Sequence, residues 1–290
     1  MGPLTNPTVI REVMERHGVS FSKALGQNFL INPTVCPRMA ELGGAAPGVG
    51  VLEIGPGAGV LTAQLAQAAQ KVVAIEVDHR LLPVLDETLA DYDNVKIIHG
   101  DALQLDLGAI LREELAGMPV VVCANLPYYI TSPLVMALLE QRLPVESITV
   151  MVQKEAAQRI CAGPGTRQSG AITAAVAYYS QPRMLFTVSR GSFLPAPEVD
   201  SAVIRLDVRK TPPVQVADEA RFFSVVRGAF EQRRKTVLNS LSATLGLPKE
   251  QLRQVLAQAG VAENARAEAL TLEDFAAIAN HLPGAAEGSH

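Results

Sequence analysis

The stretch of the sequence best suited to chemistry is Asn125-Leu126-Pro127-Tyr128. It follows residues 119–124, an apolar run rich in β-branched residues that predicts a buried parallel strand. An asparagine oxygen can accept a hydrogen from an amino group, a proline stiffens the turn, and a tyrosine has a flat face for a base. This combination suits a planar aromatic amine lifted out of a nucleic acid. An ordinary strand-to-helix turn with a core tyrosine is the alternative.

Three strands predicted earlier in the chain also end in residues that could contact a ligand. Residues 49–54 predict a strand that runs into Gly55-Pro56-Gly57-Ala58-Gly59, where glycines would let the backbone approach a ligand closely. Glu76 ends the next strand, 21 residues after Gly55, and suits the two hydroxyls of a ribose. Asp101 follows a third strand and can accept from an adenine amino group.

Each of these residues alone also fits a turn, a solvated acid or a helix cap. The glycine spacing is G-x-G-x-G, which does not complete the dinucleotide pattern G-x-G-x-x-G. Four successive strand ends of a parallel sheet, however, present their residues at one edge. Together they predict a site for a nucleoside with one charged or reactive tail.

Length and composition limit the function classes. The chain has 290 residues, 48% of them hydrophobic, enough for one large domain or for a domain and a smaller lobe. No apolar run approaches the roughly 20 residues that span a bilayer, and the first residues lack a signal-peptide block. The three cysteines are far apart and in no metal-ligand spacing, so we expect no metal site and a cytoplasmic location.

The charges are unevenly distributed along the chain, whose net charge is −4. Residues 41–119 hold 12 acidic and 4 basic side chains, whereas residues 183–240 hold 10 basic and 6 acidic ones. Residues 1–40 hold 4 basic and 2 acidic side chains. A polyanion would be attracted to the two basic parts, although ordinary surface variation could produce the same pattern.

Periodicity and turn residues predict an α/β domain over residues 1–210 and a helical domain over residues 211–283. The first 45 residues predict helices and a loop, at residues 22–32, that closes over the ligand site. Thr211-Pro212-Pro213 marks the domain boundary, and residues 284–290 predict a frayed tail. Helices are predicted in the second domain at about 218–230, 234–245, 248–259 and 272–281.

Local sequence patterns also predict a helix N-cap and an extended segment. Thr131 or Ser132 is the expected N-cap of a helix that runs to Glu140. An extended segment between strands predicted at 184–188 and 202–208 contains Phe193, which could cover the second face of a base or pack in the core.

A group of cations predicts a phosphate-binding surface in the helical domain. Gln232-Arg233-Arg234-Lys235 places three consecutive cations near Arg227, close to the start of the second predicted helix. A solvated helix start is the alternative reading of the same residues.

In their order along the chain, these motifs closely resemble the KsgA/Dim1 (RsmA) family of small-subunit rRNA adenine N6,N6-dimethyltransferases. The segments that carry the resemblance are Gly26-Gln27-Asn28-Phe29-Leu30, Glu53-Ile54-Gly55-Pro56-Gly57, Ile75-Glu76, Gly100-Asp101-Ala102, Asn125-Leu126-Pro127-Tyr128, Phe193-x-Pro195-x-Pro197 and Phe230-Glu231-Gln232-Arg233-Arg234-Lys235-Thr236.

The resemblance implies a Rossmann-like class I methyltransferase sheet, seven-stranded and mostly parallel, with a small all-helical C-terminal domain. It implies transfer of methyl groups from S-adenosyl-L-methionine to N6 of two adjacent adenosines. These lie in the 3′-terminal hairpin loop of 16S rRNA, the partner being an immature small ribosomal subunit. The donor-site residues that it implies are Asn28, Leu30, Gly55, Gly57, Glu76, Asp101 and Asn125.

The residues expected to act on the acceptor are Asn125, Pro127 and Tyr128. The lone pair of an adenine amine is delocalised into the ring, which makes the nitrogen a poor nucleophile. We expect the Asn125 side-chain oxygen and the Pro127 carbonyl to accept its two hydrogens. Tyr128 would stack on the flipped base, with Phe193 on the opposite face. Arg227, Arg233, Arg234 and Lys235 are the expected RNA contacts.

Two residues depart from the family pattern. Glu198 stands where lysine is usual, and Glu231 where a neutral residue is common, so each would bring a carboxylate near the RNA. Two other functions are compatible with parts of the sequence. An Erm-type methyltransferase of 23S rRNA is disfavoured by Leu126 and Gly26, and a chiefly non-catalytic ribosome-assembly factor remains compatible with the motifs. We expect a monomer.

Overall fold

The centre of the fold is a seven-stranded sheet in a computed structural model that describes residues 2–19 and 28–284. The strands of the described residues are β1 (Phe29–Leu30), β2 (Gly50–Ile54), β3 (Lys71–Glu76), β4 (Val95–His99), β5 (Val120–Asn125), β6 (Ser147–Gln153), β7 (Ser180–Val188), β8 (Phe193–Leu194) and β9 (Ser201–Val208). The sheet order is β4-β3-β2-β5-β6-β9-β7, and β1 pairs with β8 in a separate two-stranded sheet.

The strand pairing is mostly parallel, as predicted. β2 pairs in parallel with both β3 and β5, β4 joins β3, and β6 joins β5, whereas β9 is antiparallel to β6. In this register Ile54 lies opposite Ile75, and Glu76 opposite His99. The carboxyl ends of β2, β3, β4 and β5 therefore reach the same edge of the sheet.

Helices connect the strands and form the C-terminal region. Their bounds among the described residues are α1 (Pro7–Arg16), α2 (Val35–Gly43), α3 (Val60–Ala68), α4 (Leu82–Thr88), α5 (Leu107–Glu114), α6 (Thr131–Glu140), α7 (Lys154–Cys161), α8 (Ala171–Tyr179), α9 (Glu219–Glu231), α10 (Val237–Leu245), α11 (Lys249–Gln258) and α12 (Leu272–His281). The crossover helices α4 and α5 are additional to those predicted from the sequence.

The predicted N-cap of α6 is wrong. Residues 128–130 already form a 3₁₀ turn, closed by a 3.2 Å hydrogen bond from the Ile130 N–H to the Pro127 carbonyl. The chain enters α6 through this turn, so Ile130 occupies the cap position and makes no side-chain bond. Thr131 is instead the first helical residue, with its side chain buried. β7 likewise begins at Ser180 rather than at the predicted residue 184.

The chain divides into two units, Met1–Ala157 with Pro182–Val208, and Gln158–Gln181 with Arg209–His290. The second unit contains the C-terminal helices and also α8. Tyr179 at the end of α8 stacks on Phe223 of α9 with 5.3 Å between ring centroids, and both Tyr178 and Tyr179 donate to Glu219. These contacts explain why α8 belongs with the helices, whereas the sequence placed it in the first domain. The boundary near residue 210 stays a prediction.

Some predicted features fall partly outside the described residues. The loop expected to close over the ligand site is described only from Asn28 onward, so Gly26 and Gln27 lie outside. The same holds for the predicted frayed tail beyond Gly284. Among the described helices, none combines the length and hydropathy needed to cross a membrane.

The acidic side chain of Glu53 is buried within the sheet. Glu53 of β2 is 1% exposed, and its Oε2 has no hydrogen-bond partner among the described residues. Burial raises the pKa of Glu53 to about 8; the nearby Thr62 hydroxyl opposes this effect and the charge of Glu76 adds to it. The Glu53 carboxyl therefore carries a proton at neutral pH.

Glu53→Gln should remove a pH dependence of stability. The pKa of this carboxyl is about 8 in the folded protein and 4.5 in its ordinary state, so the folded state binds the proton more tightly. The free energy of unfolding of the parent therefore falls as pH rises between these values. Relative to the parent, the variant should gain about 3 kcal/mol between pH 5 and pH 8, because glutamine has no proton to lose.

Urea unfolding of both proteins at several pH values measures this gain. Glu113→Gln, at an exposed position on α5, is the matched control and should leave the profile parallel to the parent. Parallel profiles for Glu53→Gln and the parent would show that Glu53 is ionised in the folded protein.

Candidate functional site

A cleft lies at the carboxyl edge of the sheet, within the first unit. It is lined by the glycine turn after β2, by the ends of β3 and β5, and by the turn after β4. The predicted site residues that border it are Asn28, Leu30, Gly55, Gly57, Glu76, Asp101, Asn125, Pro127, Tyr128 and Phe193. The donor and acceptor residues predicted from separate motifs thus meet in one place, although their binding roles stay predictions.

The glycine turn adopts a backbone that only glycine accepts easily. Gly55, Gly57 and Gly59 have φ values of 70°, 60° and 83°, in the left-handed region. A Cβ at Gly55 would meet no atom within 4 Å, whereas one at Gly59 would lie 3.1 Å from side-chain atoms of Thr88 and Leu89. Gly55 therefore leaves the cleft open, and Gly59 allows α3 to pack closely against α4.

Glu76 holds the glycine turn while facing the cleft. The side chain is 4% exposed, its Oε2 accepts from the Gly57 amide at 3.2 Å, and its Oε1 accepts from the Asp78 amide at 2.9 Å. Burial raises the pKa of Glu76, and the bonds from the Asp78 and Gly57 amides partly oppose the rise. Each carboxylate oxygen keeps a lone pair with which it can accept from a ligand hydroxyl.

Asp101 organises the turn that follows β4. Its Oδ1 accepts from the Leu103 amide at 2.9 Å, and its Oδ2 accepts from the Gln104 side chain at 2.9 Å. The side chain is partly exposed at the cleft, so each oxygen can also accept from a ligand amino group.

Two apolar side chains of the cleft were missed by the sequence analysis. Val77 is 57% exposed and Leu103 is 42% exposed, and both border the cleft beside Glu76 and Asp101. Exposed apolar groups at these positions can contact the faces of a flat ring. Their positions in the sequence could have indicated them, since Val77 directly follows Glu76 and Leu103 lies two residues after Asp101.

The acceptor residues are held by bonds to distant segments. The Asn125 side-chain N–H donates to the Asn28 carbonyl at 3.4 Å, which leaves the Asn125 Oδ1 available to accept. The Tyr128 hydroxyl lies 2.7 Å from the Ser201 Oγ of β9. Burial raises the pKa of Tyr128, so the side chain is a phenol rather than a phenolate at neutral pH. The Pro127 carbonyl accepts one hydrogen bond and keeps a second lone pair.

Residues 29–32 are held in place by β8 and by Ser192, the residue before it. Phe29 pairs with Leu194 and Leu30 with Phe193, while the Asn32 side chain donates to the Ser192 Oγ at 3.1 Å. Phe193 is only 3% exposed, so its ring faces are covered by protein here. Stacking of Phe193 on a base stays a prediction.

The cation cluster of the second unit lies on a turn. Arg233, Arg234 and Lys235 connect α9 to α10 and do not begin a helix at residue 234 as predicted. Thr236 is the N-cap of α10, because its side chain accepts from the Asn239 amide, so the helix begins only at Val237.

The cations of this turn and Arg227 are exposed, and no ion pair joins them to an acid of the described residues. Glu231, one of the departures from the family pattern, accepts from the Thr244 hydroxyl at 2.8 Å. The Glu231 carboxylate is thus bound to α10 rather than to one of these cations.

The sheet topology, with its glycine turn and strand-end acids, is that of class I methyltransferases. A family model described as ribosomal RNA adenine dimethylase matches residues 18–283, and the chain belongs to this family. A protein of Geobacillus kaustophilus named ribosomal RNA small subunit methyltransferase A is 49% identical over 285 residues. The match covers 96% of this chain and 97% of the relative.

Two solved structures have the same fold over most of the chain. A dimethyladenosine transferase from Plasmodium falciparum is 27% identical with a TM-score of 0.70, covering 86% of this chain and 95% of that one. The 23S rRNA methyltransferase ErmE is 29% identical with a TM-score of 0.67, covering 88% and 99%. Both a dimethyladenosine transferase and a 23S rRNA methyltransferase share the fold, so the fold alone does not identify the RNA substrate.

Alanine at two glycines of the turn should have different effects on stability. Gly55→Ala should cost about 1–2 kcal/mol, because only the left-handed backbone is strained. Gly59→Ala should cost more, because the new methyl group would also displace Leu89 and Thr88. Thermal and urea unfolding of the two variants measure the difference. An equal loss in both would show that the Leu89 and Thr88 side chains move aside without cost.

Proposed function

We propose that this protein transfers methyl groups from S-adenosyl-L-methionine to N6 of two adjacent adenosines in the 3′-terminal hairpin loop of 16S rRNA. The observation that carries the proposal is the convergence of Glu76, Asp101 and Asn125-Leu126-Pro127-Tyr128 at one cleft. Membership of the rRNA adenine dimethylase family supports the reaction, and the names of the most similar relatives favour the small subunit over the large one.

The cleft suits a nucleoside methyl donor. Glu76 would accept from the two ribose hydroxyls, and Asp101 from the adenine amino group. Gly55 and Gly57 offer backbone free of side chains, and Asn28 and Leu30 also line the cleft. When bound, S-adenosyl-L-methionine supplies a methyl group activated by a sulfonium, so the protein needs no covalent intermediate.

The acceptor residues would prepare the adenine nitrogen. The Asn125 Oδ1 and the Pro127 carbonyl would accept the two amine hydrogens, which localises the nitrogen lone pair. Tyr128 would stack on the flipped base, and the bond from its hydroxyl to Ser201 fixes the ring. Holding the nitrogen in line with the methyl group would supply much of the acceleration. No strong base is required, because the amine proton becomes acidic once the nitrogen is methylated.

The second unit would bind the RNA backbone. Arg227, Arg233, Arg234 and Lys235 are exposed cations suited to phosphate, and binding through them would weaken as salt rises. The proposed partner is 16S rRNA within an immature small ribosomal subunit, bound by a monomer in the cytoplasm.

Mapping methylated nucleotides tests the reaction. Small and large ribosomal subunits without N6 methylation are each incubated with the protein and S-adenosyl-L-methionine. The expected products are two neighbouring N6,N6-dimethyladenosines near the 3′ end of 16S rRNA, with none in 23S rRNA. Methylation confined to 23S rRNA would establish the Erm-type alternative, and absence of methylation in both would end the enzymatic proposal.

Asn125→Ala should separate donor binding from chemistry. The variant loses the oxygen that accepts from the adenine amine, which should cost on the order of 3 kcal/mol in transition-state stabilisation, or about a hundredfold in rate. Donor affinity should change little. Single-turnover methylation and calorimetric titration with the donor measure the two effects.

The comparison variant Glu76→Ala should show the opposite result, with a larger effect on donor affinity than on the rate of the chemical step. It removes the ribose contacts, which exist in the ground state, and should weaken donor binding before the chemical step is affected. Near-normal methylation by Asn125→Ala would remove Asn125 from its role. Unchanged donor affinity in Glu76→Ala would remove Glu76 from the ribose site.

A further inference from the structure

An exposed aromatic ring borders the cleft without a role in the reaction described above. Tyr129 is 62% exposed, the largest fraction among the exposed large apolar side chains of the described residues, and it lines the cleft. Val77 and Leu103 are likewise exposed at the cleft. Exposed apolar side chains therefore concentrate around this opening, and such a concentration indicates a contact surface.

The neighbours of Tyr129 are already committed to other contacts. Leu126 is buried in the core, and Tyr128 is half-buried with its hydroxyl bound to Ser201 at 2.7 Å. Tyr129 makes no hydrogen bond or ring contact to another described residue. It is therefore the aromatic ring of this turn that is left for an external partner.

The 3₁₀ turn places the two tyrosines at different positions of the cleft. Such a turn has about three residues per turn, so consecutive side chains project about 120° apart. If Tyr128 contacts the base inside the cleft, the Tyr129 ring lies to one side of that base. The next nucleotide of a single strand would occupy such a position.

The backbone under Tyr129 is held by contacts within the protein. The bond from the Ile130 N–H to the Pro127 carbonyl closes the turn, which continues directly into α6, where Leu134 and Val135 are buried. A tyrosine has few rotatable bonds, so a ring on such a backbone loses little entropy when a base stacks on it.

We propose that Tyr129 is a stacking platform for the nucleotide next to the target adenosine, so that the site contacts two neighbouring unpaired bases. The inference rests on the proposed function, because it requires the target base beside Asn125. Tyr129 would act as a positioning residue. By holding the neighbouring base it would fix the backbone of the flipped nucleotide and favour an unpaired strand over an isolated adenosine.

The kinetic test compares Tyr129→Ala with Tyr129→Phe on small ribosomal subunits that lack the methyl groups. The alanine variant should raise the KM for RNA about 10-fold, as expected for one lost stacking contact, with kcat within about twofold. The phenylalanine variant should stay near the parent, because stacking needs the ring and not the hydroxyl. Donor affinity should be unchanged in both.

A direct readout uses a short single-stranded RNA with 2-aminopurine next to the target adenosine, on each side in turn. Stacking quenches the fluorescence of this base. The parent and Tyr129→Phe should quench it on one side only, and Tyr129→Ala should not. Met184→Ala is the matched control, because Met184 is an exposed apolar residue outside the cleft lining, and it should behave like the parent.

The outcomes separate this inference from the proposed function. Normal N6 methylation by the parent, with an unchanged KM and unchanged quenching in Tyr129→Ala, would overturn the stacking role alone. Equal losses in the alanine and phenylalanine variants would show that the hydroxyl acts, and would also overturn it. Absence of N6 methylation by the parent would instead remove the proposed function on which the inference rests.

Discussion

The in-register parallel pairing of β4, β3, β2 and β5 is the constraint on which the site depends. Parallel strands end at the same edge, so the residues that follow them are brought together although they are far apart in the chain. Glu76, Asp101 and Asn125 therefore meet at one cleft. A shift of one strand by a single residue would turn its side chains to the opposite face and remove its contribution.

Two acids at the cleft accept hydrogen bonds from the turns beside them. Glu76 accepts from the Gly57 and Asp78 amides, and Asp101 accepts from Leu103 and Gln104, so both acids shape the turns beside them. These hydrogen bonds hold both side chains in position at the edge of the cleft. Burial raises the pKa of the Tyr128 hydroxyl, which makes it a still weaker acid.

Family membership and geometry contribute different parts of the functional argument. The family indicates methylation of adenine in ribosomal RNA, and the sequence relatives, at about half identity, favour the small subunit. Two related structures, a dimethyladenosine transferase and a 23S rRNA methyltransferase, share this sheet. The sheet alone therefore does not determine which RNA is methylated.

The sequence by itself determined the strands β2 to β6, the glycine turn and the residues at the strand ends, because these strands are short runs rich in apolar residues and bounded by local turn signals. It also gave the helices of the second unit to within a few residues. Only the tertiary structure decided that Phe193 is covered by protein beside Leu30, that α8 packs on α9, and that Tyr129 is left exposed beside Tyr128. Each of these depends on contacts between residues distant in the chain, and such contacts leave no periodic pattern in either segment alone.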